Sequence, residues 1–148
     1  MENDYPKMYL YKRIVQAKLF IDKNFCDKID LDNISDESHF SKFHFIRLFK
    51  DIYGKTPYKY LTSVRIEEAK RHLKKGIPIM ESCFAVGFDS PSSFTGLFKK
   101  EVGLTPKKYQ SRELQRKVEI SDKPLKFIPN CFAETKGWTK NSNFQEVV

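Results

Sequence analysis

The sequence predicts an all-α fold in which one helical unit is written twice, with a long helix between the copies. Three observations predict it. Apolar residues recur at helical spacing, and no segment sustains alternation at period two. Helix stops and starts are spelled out by Gly, Thr and Pro. Finally, FKDIYGKTPYKYL at residues 49–61 returns as FKKEVGLTPKKYQ at residues 98–110, with seven of thirteen positions identical.

The elements follow in order, with bounds good to a few residues. The first helix covers roughly residues 7–24, with Leu10, Ile14, Ala17 and Ile21 on one face. A short second helix covers about 31–38, with Asp30 as its cap. The third covers about 42–53, with Phe45, Leu48, Phe49 and Ile52 inward. Gly54 supplies a left-handed stop, Thr56 caps the next helix, and Pro57 sits at its first position, where a missing N–H costs nothing. That fourth helix runs over about 57–75 and closes at Gly76. Arg65 falls within its apolar arc, beside Leu61, Ala69 and Leu73, where pairing with an internal carboxylate is expected. A fifth helix covers about 79–86. Ser90-Pro91 opens a sixth, about 91–102, with Phe94, Leu97 and Phe98 inward. Gly103, Thr105 and Pro106 repeat the stop and restart, and the seventh covers about 106–116.

The repeat extends backwards. Phe45 matches Phe94 and Ser41 matches Ser90 at an offset of 49; Phe40 with Phe88, His39 with Gly87 and Ser35 with Cys83 match at 48. Each copy is a short helix, a tight turn, a capped helix, a Gly stop and a Thr-Pro restart. Ser35 and Cys83 are small where two helices must approach closely. Such a unit is a helix-turn-helix, whose second helix fits the major groove of DNA. Two of them on one face of a duplex must sit about 34 Å apart. The fourth helix, at about 1.5 Å per residue, spans roughly 28 Å, the size of a strut between two such readers.

Composition agrees. The chain has 148 residues, 40% hydrophobic and 14% aromatic, enough for a core. The net charge of +8 is concentrated in the repeated region, where residues 1–116 carry 22 − 15 = +7 and residues 117–148 carry 5 − 4 = +1. That surface suits a polyanion, either nucleic acid or an anionic membrane. Cys26, Cys83 and Cys131 are too far apart for a zinc ribbon or a disulfide framework and fit reduced thiols in a cytosol. No signal peptide and no run of about 18 apolar residues is present, so a cytoplasmic, nucleoid-associated protein without a membrane partner is expected.

The stretches DLDNISDESHFSKFHFIRLFKDIYGKTPYKYLTSVRIEEAKRHL and GFDSPSSFTGLFKKEVGLTPKKY resemble the AraC/XylS family of bacterial transcription regulators, over roughly residues 10–112. The resemblance implies seven helices in two homeodomain-like helix-turn-helix subdomains joined by a linker helix, and sequence-specific binding of promoter DNA. The domain would then be residues 1–116, with a first unit about 8–55, the linker about 57–75 and a second unit about 77–116. Residues 117–148 form an extension read as an irregular tail. The expected partners are double-stranded promoter DNA, bound by a monomer, and RNA polymerase; no cofactor or metal is expected. An activator is the expected role.

The family's base-reading positions fall on Phe43, Ile46 and Arg47 in the first recognition helix, with Lys42 and His44 near the backbone. The helical phase agrees, placing residues 42, 43, 46, 47 and 50 outward. An exposed Arg can fork onto guanine, and Phe and Ile can touch thymine methyls. His44 could equally be a solvated helix residue. The matching positions of the second helix are Pro91, Ser92, Thr95 and Gly96, a departure from the family, which often has Arg or Gln where Gly96 stands. Ser and Thr discriminate bases weakly. The first unit is therefore expected to carry most specificity and the second mainly to anchor. Backbone contacts are expected from the capping residues Ser41, Thr56, Ser90 and Thr105, from Ser93, and from Lys50, Lys55, Lys59, Lys99, Lys100, Lys107 and Lys108. Any one of these lysines could instead be part of a solvated face.

Few residues precede the first helix, so the effector-binding domain of many family members is expected to be absent. The tail carries Phe127, Ile128, Phe132, Trp138 and Phe144 and is expected to fold back or to contact a protein. An enzyme is not expected: no metal-spaced cluster, phosphate-cradling loop or triad is seen, and Cys131 has no His after position 72 for alkyl-transfer chemistry. The alternative is a protein-binding antagonist of a related regulator, with weak or no DNA affinity.

Overall fold

The computed structural model describes residues 4–29 and 41–123. All elements among them are helices: α1 (Asp4–Asn24), α2 (Lys42–Tyr53), α3 (Pro57–Lys74), α4 (Ile79–Ala85), α5 (Pro91–Val102) and α6 (Pro106–Asp122). The short helix expected at about 31–38, with Asp30 and Ser35, lies outside the described residues, as does the segment from Pro124 onward with Cys131.

Local chemistry sets the boundaries. Ser41, Thr56, Ser90 and Thr105 each place a hydroxyl oxygen 3.3–3.4 Å from the amide three residues on. One orphan donor is thereby satisfied at the start of α2, α3, α5 and α6. At the other ends the repeat is equally literal. Gly54 (φ 72°) and Gly103 (φ 85°) donate their N–H to the carbonyls of Lys50 and Lys99, at 2.7 and 2.9 Å. The left-handed backbone at each glycine then turns the chain out of the helix, and glycine adopts it without strain.

Each unit has its own core. The first is built from Ile14, Ala17 and Ile21 of α1 with Phe45, Phe49 and Leu61. The second gathers Ile66, Ala69, Leu73, Cys83, Val86, Phe88, Phe94, Phe98 and Tyr109. α3 crosses both, packing on α1 and α2 with its first half and on α4 and α5 with its second. The aromatic contacts are duplicated. Phe49 meets Tyr60 edge-on at 5.7 Å and 67°, and Phe98 meets Tyr109 at 5.5 Å and 68°. Phe and Tyr recur in the two thirteen-residue stretches because each pair closes its core the same way. Cys83 is fully buried, as its small size at the α4–α5 corner required, and burial pushes its thiol up.

Two expectations need correction. The last helix does not stop near residue 116 but runs to Asp122. Residues 111–122 contain no Gly or Pro and carry an i,i+4 Gln115–Glu119 hydrogen bond at 3.3 Å, so nothing in the chain ends the helix before Pro124. Arg65 does not pair with a carboxylate. Its Nε donates to the Phe25 carbonyl at 2.7 Å and its Nη2 to the Asp27 carbonyl at 2.9 Å, while the guanidinium lies over the Phe88 ring at 5.8 Å. The carbonyls just past the end of α1 have no helical donor, and a guanidinium fork supplies two. Burial lowers the Arg65 pKa from its ordinary value.

Candidate nucleic-acid interface

On α2 the structure turns Phe43 and Arg47 to solvent, Phe43 with 79% of its surface open. An apolar ring that exposed contributes nothing to the core, and it stands one residue into the helix, where recognition helices touch bases. Arg47 has no hydrogen bond or ion pair to any described residue. Lys42, His44 and Lys50 are exposed on the same side. Ile46, expected outward, is half-buried and packs against the first core, so only part of its side chain is presentable. The helical arc carries it to the boundary because Phe45 and Phe49 sit at its centre.

On α5 the corresponding surface is smaller. Ser92, Ser93 and Gly96 are exposed, and Pro91 and Thr95 are half-buried. Ser92 Oγ lies 3.0 Å from the capping Ser90 Oγ, so part of its hydrogen-bonding capacity is used locally. A Cβ at Gly96 would meet nothing within 4 Å. The absent side chain is therefore not demanded by packing inside the protein. Gly96→Ala is expected to stabilise the chain by about 0.5–1 kcal/mol in urea denaturation, the usual helix-interior difference.

The lysines divide. Lys50, Lys59, Lys99, Lys100, Lys107 and Lys108 are exposed. Lys55 is also exposed but donates to Ser63 Oγ at 2.9 Å, which in turn reaches Glu101 at 3.3 Å, so its head is held across the linker. α2, α3 and α5 have no acidic residue in the first turn, nor does α6. Their positive ends are not neutralised by the chain's own carboxylates, which a helix dipole would otherwise favour. Lys59, Lys107 and Lys108 stand in or beside those first turns, an arrangement that is unfavourable alone and complementary to an external anion.

Two features escaped the sequence reading. Lys18, Asp22 and Tyr60 form a linked group, with Lys18 Nζ at 2.8 Å and Tyr60 Oη at 2.7 Å from the Asp22 carboxylate. The hydrogen bond to Asp22 raises the Lys18 pKa; burial first, then the same carboxylate, raises that of Tyr60. The group ties α1 to the start of α3 and so supports the first unit. Gln110 of α6 donates to the carbonyls of Leu73 and Ile77, at 3.3 and 2.8 Å, closing the end of α3. Side-chain capping across 33 to 37 residues has no local sequence signature.

A capped helix with exposed basic residues, presented twice along one connecting helix, defines a tandem helix-turn-helix protein. The comparisons with known proteins agree. A family model described as a helix-turn-helix domain matches residues 34–112. The probable transcription factor PqrA of Proteus vulgaris is 37% identical over 83 residues, covering 55% of this chain and 68% of its own. The bifunctional transcriptional activator/DNA repair enzyme AdaA of Bacillus subtilis is 37% identical over 92 residues, 62% of this chain but only 44% of AdaA. Among solved structures, the C-terminal domain of AraT, a response regulator from Geobacillus stearothermophilus, superposes with a TM-score of 0.63 at 27% identity, over 68% of this chain and 84% of that one. The chain belongs to the AraC/XylS family of helix-turn-helix transcriptional regulators and carries that family's DNA-binding domain.

Proposed function

We propose that this chain binds double-stranded promoter DNA in a sequence-specific manner, with α2 and α5 in successive major grooves, and activates transcription. One observation carries the reading. Of the seven positions repeated between 49–61 and 98–110, five have a role inside the fold: the Phe and Tyr of each core, the Gly stop, the Thr cap and the Pro at the first helical position. The other two are lysines, Lys50 and Lys99, Lys59 and Lys108, and all four are exposed. Packing does not account for that repetition, whereas a phosphate backbone met twice in the same geometry does. The positions expected to face bases, Phe43 and Arg47 against Ser92 and Thr95, differ between copies, as two different half-sites require. The activator role is supported by the name of AdaA.

In this reading residues 1–116 are the DNA-binding domain, acting as a monomer on DNA in the cytoplasm, with RNA polymerase as the second partner and no enzymatic activity of its own. Among the described residues no helix is long and apolar enough to cross a membrane. The small side chains on α5 favour one competing reading, an antagonist that binds a related regulator with little DNA affinity. Selection from random duplexes at a fixed salt concentration decides between them. The expected result is an enriched motif with half-sites one helical turn apart and a steep fall of log K with log salt. No enrichment and a flat salt dependence would favour the antagonist.

A further inference from the structure

The turn that follows α1 is built into both units. Among the described residues, Phe25 is the one apolar side chain that packs against both cores. Its carbonyl and that of Asp27 take the two hydrogen bonds from Arg65 in the middle of α3. Opposite them lies Gly87, in the turn between α4 and α5, with φ at +94°. A Cβ there would stand 2.8 Å from the Cys26 carbonyl oxygen and 2.9 Å from that of Phe25. Backbone meets backbone at this point, and only hydrogen fits. The Arg65 guanidinium also covers the ring of Phe88, the next residue of the same turn. Three elements therefore converge on Phe25–Asp27: the end of α1, the middle of the linker, and the turn that aims the second reading helix.

From this we infer that Arg65 and Gly87 are positioning residues that set the distance and phase between the two reading helices, and hence the half-site spacing that the chain accepts. The inference rests on the proposed DNA reading. A connecting helix alone leaves its own bending and twisting between the two cores to vary the distance and phase of the units. A third point of attachment removes that freedom, and the Phe25–Asp27 turn is such a point. When both helices must engage at once, a rigid connection makes the second binding event intramolecular at one spacing and penalises all others. Two inserted base pairs rotate one half-site by roughly 70° and move it by about 7 Å, more than a locked junction tolerates.

The test compares wild type with Arg65→Gln, Arg65→Ala and Gly87→Ala in the full chain. Arg65→Gln keeps one donor and preserves folding if the alanine variant does not fold. Affinity is read by fluorescence anisotropy on the selected duplex, on duplexes with two base pairs added or removed between half-sites, and on a duplex with one half-site randomised. Wild type is expected to lose about 100-fold at the wrong spacing and the variants about ten-fold or less, with single-half-site affinity unchanged within about two-fold. Variants that retain the full spacing penalty overturn the inference, as does an equal loss on every duplex, which marks a merely structural role. A second arm needs no DNA. Spin labels at Asp51→Cys and Lys100→Cys, with Cys26→Ser and Cys131→Ser, report the distance between α2 and α5. A narrow distribution in wild type that broadens in the variants is expected; one that stays narrow overturns the inference. Broadening without any DNA preference in wild type would instead remove the DNA reading.

Discussion

Arg47→Ala is expected to weaken binding to the selected duplex by about 1–3 kcal/mol and to erase preference at one base pair. Arg47 is exposed in the second turn of α2, has no hydrogen bond or ion pair to any described residue, and lies on the side that carries Phe43. If Arg47 reads a guanine edge as proposed, the loss should appear only on duplexes that carry that base. Lys50→Ala is the control, exposed one turn further on. If Lys50 meets a phosphate as proposed, its removal should weaken all sequences alike and lower the salt slope by about one. Anisotropy titrations on a panel with each base pair substituted separate the two patterns. A uniform loss for Arg47→Ala would assign it to a phosphate too.

Phe98→Ala is expected to cost about 3–5 kcal/mol of stability, against a typical total of about 5–15 kcal/mol for a domain. The ring is fully buried between Phe94 at 5.6 Å and Tyr109 at 5.5 Å, and Leu97 and Val102 pack around the same core. The midpoint in urea should fall with little change in slope. Phe43→Ala is the counterpart on the surface. Stability should stay within about 0.5 kcal/mol while affinity for the selected duplex falls. A loss below about 1 kcal/mol for Phe98→Ala would contradict the core described above.

The two variants separate what is local along the chain from what only tertiary packing brings together. Caps and stops were legible because their chemistry is local. Ser41, Thr56, Ser90 and Thr105 each serve an amide three residues away, and Gly54 and Gly103 each close on a carbonyl four residues back. Phe45, Phe49, Phe94 and Phe98 were legible because helical spacing repeats. Ile46 was misjudged because phase alone cannot say how wide the buried arc is. Arg65 was misjudged because its partners are carbonyls 38 and 40 residues earlier, and a backbone acceptor leaves no mark in a sequence. The last six residues of α6 were missed because their side chains are exposed and show no apolar period. One signal was present and unused. His39 aligns with Gly87 in the repeat, a difference that marks the turn where the second unit meets the chain after α1.

The two surfaces also differ in what they offer. α2 presents an aromatic ring and a guanidinium, whereas α5 presents hydroxyls and a bare glycine. Under the proposed DNA reading, similar scaffolds with these different surfaces are expected to carry unequal shares of specificity. The most direct test scrambles each half of the selected duplex in turn, at one stated salt concentration, with the halves assigned by the base preference that Arg47→Ala removes. Scrambling the half read by α2 should cost at least ~10-fold more than scrambling the half beneath α5, since each mismatched base pair costs about 1–3 kcal/mol. Equal losses from the two halves would contradict the account.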